Sequence, residues 1–361
     1  MPVGFDTGGG AVPIQCGAAL VSQGGASVTA SKLQGGAPMP VLGVQDDDRL
    51  LAAWSDGGNV RISRLAGAIG FDLPITVAGG GSAVQLAGTQ LLWRQSDGDH
   101  IVPVPADGMP GPSHTIAPAS YTRLDADGDS TGAWVLYLGN GGLVVAGASP
   151  AGVPYAPRAL PKALWRPTGT RQPGAARIFA DKAGGAFVAV IDRGTLRVVH
   201  LNPTGVAPVH TIAGSRVLTP GADARLGGGT LIQTLLLSYS RRDKRKHAHA
   251  YVRRIYAGGQ LGPQVEVAGG RNESDVVRDA VVGRYATLVI YTQNARRHKP
   301  VSMMVANGQR TVLDTGTVSA LRVAPSGQDA LVTWSKGSAR YARVVIAGVP
   351  TATSAVPPAA C

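Results

Sequence analysis

The sequence predicts an all-β fold, and three observations carry that expectation. Gly 50 and Pro 25 make 75 of the 361 residues, about a fifth of the chain against roughly 12% in average usage, and both residues weaken helix interiors. Hydrophobic residues are nevertheless 44% and charged residues only 16%, the reverse of a disordered Gly/Pro-rich chain. The apolar residues fall in short runs separated by Gly, Asn, Asp and Ser, the punctuation of strands and tight turns. No helical bundle fits these counts.

Taken in order, the elements repeat. An apolar strand, a short polar turn and a second apolar strand recur as LLAAWSDGGNVRISRL at 50–65, QLLWRQSDGDHIVPVP at 90–105 and AWVLYLGNGGLVVAGA at 133–148. The pattern continues as AFVAVIDRGTLRVVHL at 186–201, LIQTLLLSYSRRDKRKHAHAYVRRIY at 231–256, ATLVIYTQNARRHKPVSMMV at 286–305 and ALVTWSKGSARYARVVI at 330–346. Each hairpin is preceded by another short strand, as in ARIFADKAGG at 176–185, and followed by a fourth, of which PSHTIAP at 112–118 and PVHTIAG at 208–214 nearly coincide. Units of this size cannot bury their faces alone and must stack. Four strands per unit, repeated seven times, predict a seven-bladed β-propeller, whose closure removes most exposed strand edges.

Residues 18–34, AALVSQGGASVTASKLQ, align with the hairpin at 52–67 and leave eight blades as the other count. The division expected is an N-terminal extension with a partial repeat hairpin at 1–37 and a single propeller domain at 38–361. The alternative architecture is two β-sandwich domains meeting in the Pro-rich stretch at 155–173, which in a propeller is an inserted loop.

The segment LRVAPSGQDALVTWSKGSARYARVVI resembles the TolB-like, WD-type propeller repeat, in which an SPDG-type turn precedes an apolar strand, and DDDRLLAAWSDGGNVRISRL is similar with a different turn. The resemblance spans residues 38–356 and is degenerate in every copy. It implies an exported bacterial propeller and says little about ligand.

Charge carries the strongest local signal. Lys and Arg number 34 against 22 Asp and Glu, a formal +12. In the hairpin at 231–256 the turn gathers Arg241, Arg242, Lys244, Arg245, Lys246 and His247, with Arg253 and Arg254 close behind and only Asp243 opposing. The next hairpin has Arg296, Arg297, His298 and Lys299 at the same place, and the last has Lys336 and Arg340. Turns between second and third strands of successive blades share one face, so these clusters should form one basic sector that concentrates polyanions. Solvated loops carrying charge for solubility are the bland reading. Only Tyr239, Tyr251 and Tyr256 flank the loop, and as packing residues they leave no stacking platform for specific base reading.

Other constellations are weaker. Asp125, Asp127 and Asp129 in LDADGDST have the alternate spacing of hard-cation loops, but the twelfth position is Leu136, so a plain Asp/Gly turn comes before a calcium site. Asp46, Asp47 and Asp48 read as a solvated turn. His247 and His249 alternate as metal ligands can, with no third ligand near in sequence. Trp54, Trp93 and Trp334 recur in second strands and read as core, whereas Trp165 either contacts a partner or plugs a gap beneath its loop. Cys16 and Cys361 either form a disulfide joining the two ends, worth roughly 3 to 5 kcal/mol, or are unpaired thiols.

There is no GxSxG elbow, no Walker-type loop and no HExxH, and Glu occurs only at Glu266 and Glu273, which gives paired-carboxylate chemistry little support. No apolar run reaches the roughly 20 residues of a membrane-spanning helix. The start MPVGFDTGGG lacks basic and apolar leader regions, which suits a cytoplasmic chain or a mature exported form, and scarce lysine and the cysteine placement favour an extracellular or cell-surface one. The leading expectation is therefore a non-catalytic binding or scaffold propeller, without cofactor. It presents a basic face to an acidic protein or an anionic polymer such as an acidic glycan, a cell-envelope polymer or nucleic acid bound non-specifically. An assembly subunit and a hydrolase or lyase with a central-channel site are the alternatives.

Overall fold

The computed structural model describes residues 9–25, 27–33, 39–44, 49–66, 70–106, 109–166, 172–219, 226–270, 273–283, 286–295, 299–326 and 329–358. Among these residues there is no helix, and hence none long and apolar enough to cross a membrane. The strands form eight antiparallel sheets, which corrects the expected seven. The added sheet is the N-terminal hairpin. Gly10–Ile14, Gly17–Val21 and Val28–Lys32 pair in that order, and Ala18 and Leu33 share a core with Leu50, Ala52 and Trp54 of the following sheet. Apolar side chains sealed against a neighbouring sheet make this three-stranded sheet a blade in its own right. Its third strand exposes Thr29, Ala30 and Lys32, so its repeat signature is weak.

The chain divides into two compact units. The first, Met1–Leu160 with Ser354–Cys361, holds sheets 1 to 4. Sheet 2 begins with Val41–Val44, Leu50–Asp56 and Asn59–Ala66. Sheet 3 is Ser82–Ala87, Gln90–Arg94, Gly98–Pro103 and His114–Pro118, and sheet 4 is Thr122–Asp129, Gly132–Gly139, Gly142–Ala148 and Arg158–Ala159. The short strand Ser354–Val356 lies beside Val28–Lys32, and the Ser354 hydroxyl donates to the Gly25 carbonyl.

The second unit, Pro161–Thr353, holds sheets 5 to 8. Sheet 5 contains Ala175–Ala180, Ala186–Asp192, Thr195–Asn202 and His210–Ala213. Sheet 6 is Gly227–Leu231, Thr234–Arg242, Ala248–Tyr256 and Leu261–Ala268. Sheet 7 is Glu273–Val282, Thr287–Ala295, Val301–Ala306 and Gln309–Thr315. Sheet 8 is Ser319–Ser326, Asp329–Lys336, Ala339–Ile346 and Val349–Pro350. Each unit thus carries four successive sheets, not the two facing sheets of a sandwich, which sets that alternative aside.

Apolar cores join neighbouring sheets. Leu51, Ala53 and Ile62 meet Leu91, Trp93 and Val102 between sheets 2 and 3, and Leu236 and Val252 meet Val277, Val289 and Tyr291 between sheets 6 and 7. Thr234–Arg242 of sheet 6 packs against sheet 5 on one face and sheet 7 on the other, so both of its faces are buried and it shows six buried positions in succession. That accounts for continuous runs such as LLLSYS where a one-sided strand would alternate. Burying one Leu, Ile or Val side chain contributes about 1.5–3 kcal/mol, so these seams hold the repeats together. Trp54, Trp93 and Trp334 are fully enclosed at 2%, 1% and 1% exposure, and Trp165 is buried too. The turn after Leu50–Asp56 takes two left-handed residues, Gly57 and Gly58 with φ of 51° and 89°, the geometry that matches hairpin twist.

Candidate functional site

The basic turn of sheet 6 spans residues 243–247 and is tied by its one acid. Asp243 Oδ1 accepts from the His247 amide (2.9 Å), and Asp243 N donates to the His247 carbonyl (2.8 Å). Burial alone would raise the Asp243 carboxyl, but backbone donors at His247 and Arg245 and the nearby imidazoles of His247 and His249 outweigh it and hold the group below the usual carboxylate range. Arg242, Lys244, Arg245 and Lys246 point outward and are exposed, with no side-chain hydrogen bond or ion pair among the described residues. Arg241 is half-buried and donates from Nε to the Ser215 carbonyl (3.0 Å).

The connector entering sheet 6 is fastened to this turn. Leu218 N donates to the Ser240 carbonyl and Arg242 N to the Arg216 carbonyl, each at 2.9 Å. Val217 N in turn reaches the Gly194 carbonyl at 2.9 Å, in the tight turn of sheet 5. Exposed Arg193 and Arg216 therefore join Arg242 and Lys244 to Lys246 in one strip. Sequence reading missed both. Arg193 occupies the hairpin position equivalent to the sheet 6 turn and was recoverable by aligning the repeats, whereas Arg216 lies in a connector with no repeat register.

The same edge continues through sheets 7 and 8. Ala248 N donates to Ser274 Oγ (3.3 Å) at the start of sheet 7, and Glu273 pairs with Ala295, which leads into the next basic turn. Exposed Lys299 is there, while Arg296, Arg297 and His298 lie outside the described residues. Val301 pairs with Thr315, and Lys336 of sheet 8 donates to the Thr315 carbonyl and to Asp314 Oδ1, both at 2.8 Å. The three turns thus occur on one edge of successive sheets. Lys336 is neutralised there, and Arg340, half-buried on the paired strand, is not free either.

Two readings change. Arg253 and Arg254 are near in sequence but sit at the far end of Ala248–Tyr256, roughly 20 Å from the turn at a strand rise near 3.3 Å. Arg253 is also occupied, donating to the Gly262 and Ile212 carbonyls at 3.0 and 2.8 Å. Nor is Asp243 the sole acid on the edge. Glu266 Oε1 meets His249 Nδ1 at 3.0 Å, and His249 Nε2 lies 3.7 Å from Asp243 Oδ2, so the imidazole bridges two carboxylates. Glu273 Oε2 accepts from Gln293 Nε2 at 2.7 Å.

Beside Glu273 in the same strand, Asp275 is fully buried, and among the described residues neither carboxylate oxygen has a hydrogen-bond partner. Desolvation, reinforced by Glu273, pushes this carboxyl up to about 6 against the partial opposition of Arg310 and His249. Tyr239 is enclosed as a packing residue, its hydroxyl donating to Gln264 (2.7 Å) and its ring 5.8 Å from that of Tyr251.

The aspartates weighed as a cation loop lie along a strand. Asp125, Asp127 and Asp129 belong to the extended strand Thr122–Asp129, opposite Leu136, Trp134 and Gly132, so successive carboxylates stand roughly 6.6 Å apart along the strand instead of curling inward. Asp129 Oδ1 accepts from Thr131 N at 2.7 Å, and only its end of the segment forms a turn. Among the described residues no group of three or more His, Cys, Asp or Glu is placed to hold a metal ion, His247 and His249 included. Asp46, Asp47 and Asp48 lie outside the described residues, as does Cys361. Cys16 is buried at 3% exposure, and no described cysteine is free.

No family model matches the chain, and no curated protein matches it in sequence. Solved structures do match in shape. AztD from Citrobacter koseri in its apo form is 11% identical with a TM-score of 0.53, the match covering 97% of this chain and 95% of that one. The β-propeller domain of the trilobed protease from Pyrococcus furiosus is 7% identical with a TM-score of 0.51, over 89% and 99%. The fold is an eight-bladed β-propeller. A prolyl endopeptidase, 11% identical with a TM-score of 0.54, matches over 88% of this chain but 49% of its own length. The chain spans about half of that enzyme. At these identities the likeness concerns fold alone.

Proposed function

We propose that this propeller is a non-catalytic binding protein that presents the basic edge of sheets 5 to 7 to an anionic polymer, in an extracellular or cell-surface setting. The observation that supports this reading is the strip Arg193, Arg216, Arg242, Lys244, Arg245 and Lys246, all exposed and, among the described residues, without a side-chain partner, with Lys299 from the adjoining turn. Cations fixed on a rigid edge attract a polyanion through summed field and counterion release, without reading its sequence or composition. Glu266 and Glu273 bound the strip on the sheet 7 side and favour a partner that lies along sheets 5 and 6. The TolB-like type of repeat, and the export it implies, form part of the proposal and rest on the turn-and-strand motif.

Heparin affinity chromatography tests the reading. The wild-type chain should be retained at low salt and released steeply as salt rises. A variant with Arg242, Lys244, Arg245 and Lys246 changed to Gln should elute early. Equal retention of the two proteins, or retention indifferent to salt, rejects the proposal.

A further inference from the structure

A cavity of about 370 Å³ opens between sheets 6 and 7. It lies at the opposite edge from the basic turns, between the end of Ala248–Tyr256 and the turn at Asn307 and Gly308. Its floor is the uncovered end of the apolar seam, formed by Leu236, Val252, Val289 and Val305. The outer strand Leu261–Ala268 supplies a wall, with Val265 half-exposed. That strand departs from its neighbour at two register shifts, between Ala250 and Tyr251 and between Arg253 and Ile255. Bulges bend a strand and interrupt its pairing, which leaves the apolar floor open.

The lip has a different chemistry. Arg254 stands there exposed, and its guanidinium has no ion pair or hydrogen bond among the described residues. None of the described residues lining the cavity is acidic. An apolar floor favours hydrocarbon, an uncompensated guanidinium at the rim favours a carboxylate, and the volume falls near the lower end of the roughly 300–1,000 Å³ of small-molecule sites. A polymer has no room in it. We infer that the cavity binds a single-chain amphiphile with a carboxylate head, its acyl chain on the valine and leucine floor and its head at Arg254. This site is independent of the basic edge.

Isothermal titration of the full chain with decanoate, 1-decanol and decyltrimethylammonium, each below its micelle concentration, tests the inference. Decanoate should bind at one site, with an affinity roughly fivefold above the alcohol, the size of one rim charge contact, and the cationic amphiphile should not bind. Arg254→Gln should bring decanoate down to the affinity of the alcohol. Val265→Glu, at a half-exposed position and with unchanged circular dichroism, should abolish decanoate binding, whereas Arg245→Gln with Lys246→Gln at the far edge should leave it intact. Absence of decanoate binding, equal affinity for decanoate and decanol, or indifference to either Arg254→Gln or Val265→Glu overturns the assignment.

Discussion

Replacing Asp275 by Asn should remove a pH-dependent cost of folding. The carboxyl is fully buried with both oxygens unpartnered among the described residues, and its folded-state value rises from the ordinary 3.8 to about 6. At 1.36 kcal/mol per unit this corresponds to roughly 3 kcal/mol. The folded protein holds the proton more tightly than the unfolded chain does. The associated stability is therefore fully present below the ordinary value of 3.8, is lost as pH rises through about 6, and stays lost at neutral pH. In Asp275→Asn the titration is gone, so the melting temperature of the variant relative to wild type should climb by about 3 °C between pH 4 and pH 8, where about four-fifths of that stability is lost, taking roughly 2.1 cal/mol/K per residue for the entropy of unfolding. The amide brings its own donors into a site without partners, at a cost of about 1–3 kcal/mol that does not vary with pH. The slope against pH, rather than the absolute difference, is therefore the readout. Calorimetric melts of both proteins across this range supply it, and parallel curves would mean that Asp275 does not hold its proton more tightly in the folded state.

Other outcomes follow from the same structure. Trp93, 1% exposed and stacked on His100 at 5.5 Å, should cost about 3–5 kcal/mol when changed to Ala, measured by denaturant unfolding; a loss below 1 kcal/mol would contradict its place in the seam. Because Asp314 and the Thr315 carbonyl already engage Lys336, Lys336→Met should leave heparin retention unchanged, and a shift as large as that of Lys244→Gln would place it on the binding surface. If Cys16 pairs with Cys361, the intact protein should resist alkylation until reduced and should lose roughly 3 to 5 kcal/mol on reduction; mass spectrometry showing both thiols alkylated without reductant would exclude the pair.

Much of the fold was legible because a blade needs the same local chemistry each time. The paired motifs HTIAP and HTIAG become the outer strands His114–Pro118 and His210–Ala213, and the hairpins at 90–105 and 186–201 lie where their turns put them. The blade count was not legible, because sheet 1 has three strands with an exposed third one, so its apolar signature is weaker than that of the four-stranded sheets. Nearness in sequence misled for Arg253 and Arg254. A strand of nine residues carries its ends to opposite edges, and only the hairpin register separates a turn cation from one that faces a cavity. Asp275 gave no signal either. Its isolation arises from sheet 6 closing over it, and that closure depends on pairing across blades.

Lysine footprinting with bound polyanion decides whether the basic edge is the contact surface. The chain has seven lysines, of which Lys244, Lys246 and Lys299 sit on the basic edge, so acetylation rates with and without heparin map the contact residue by residue. Protection of Lys244 and Lys246, with weaker protection of Lys299 and none at Lys32, Lys162 or Lys182, is the predicted result. Protection spread evenly over all seven lysines, or absent from Lys244 and Lys246, would contradict it.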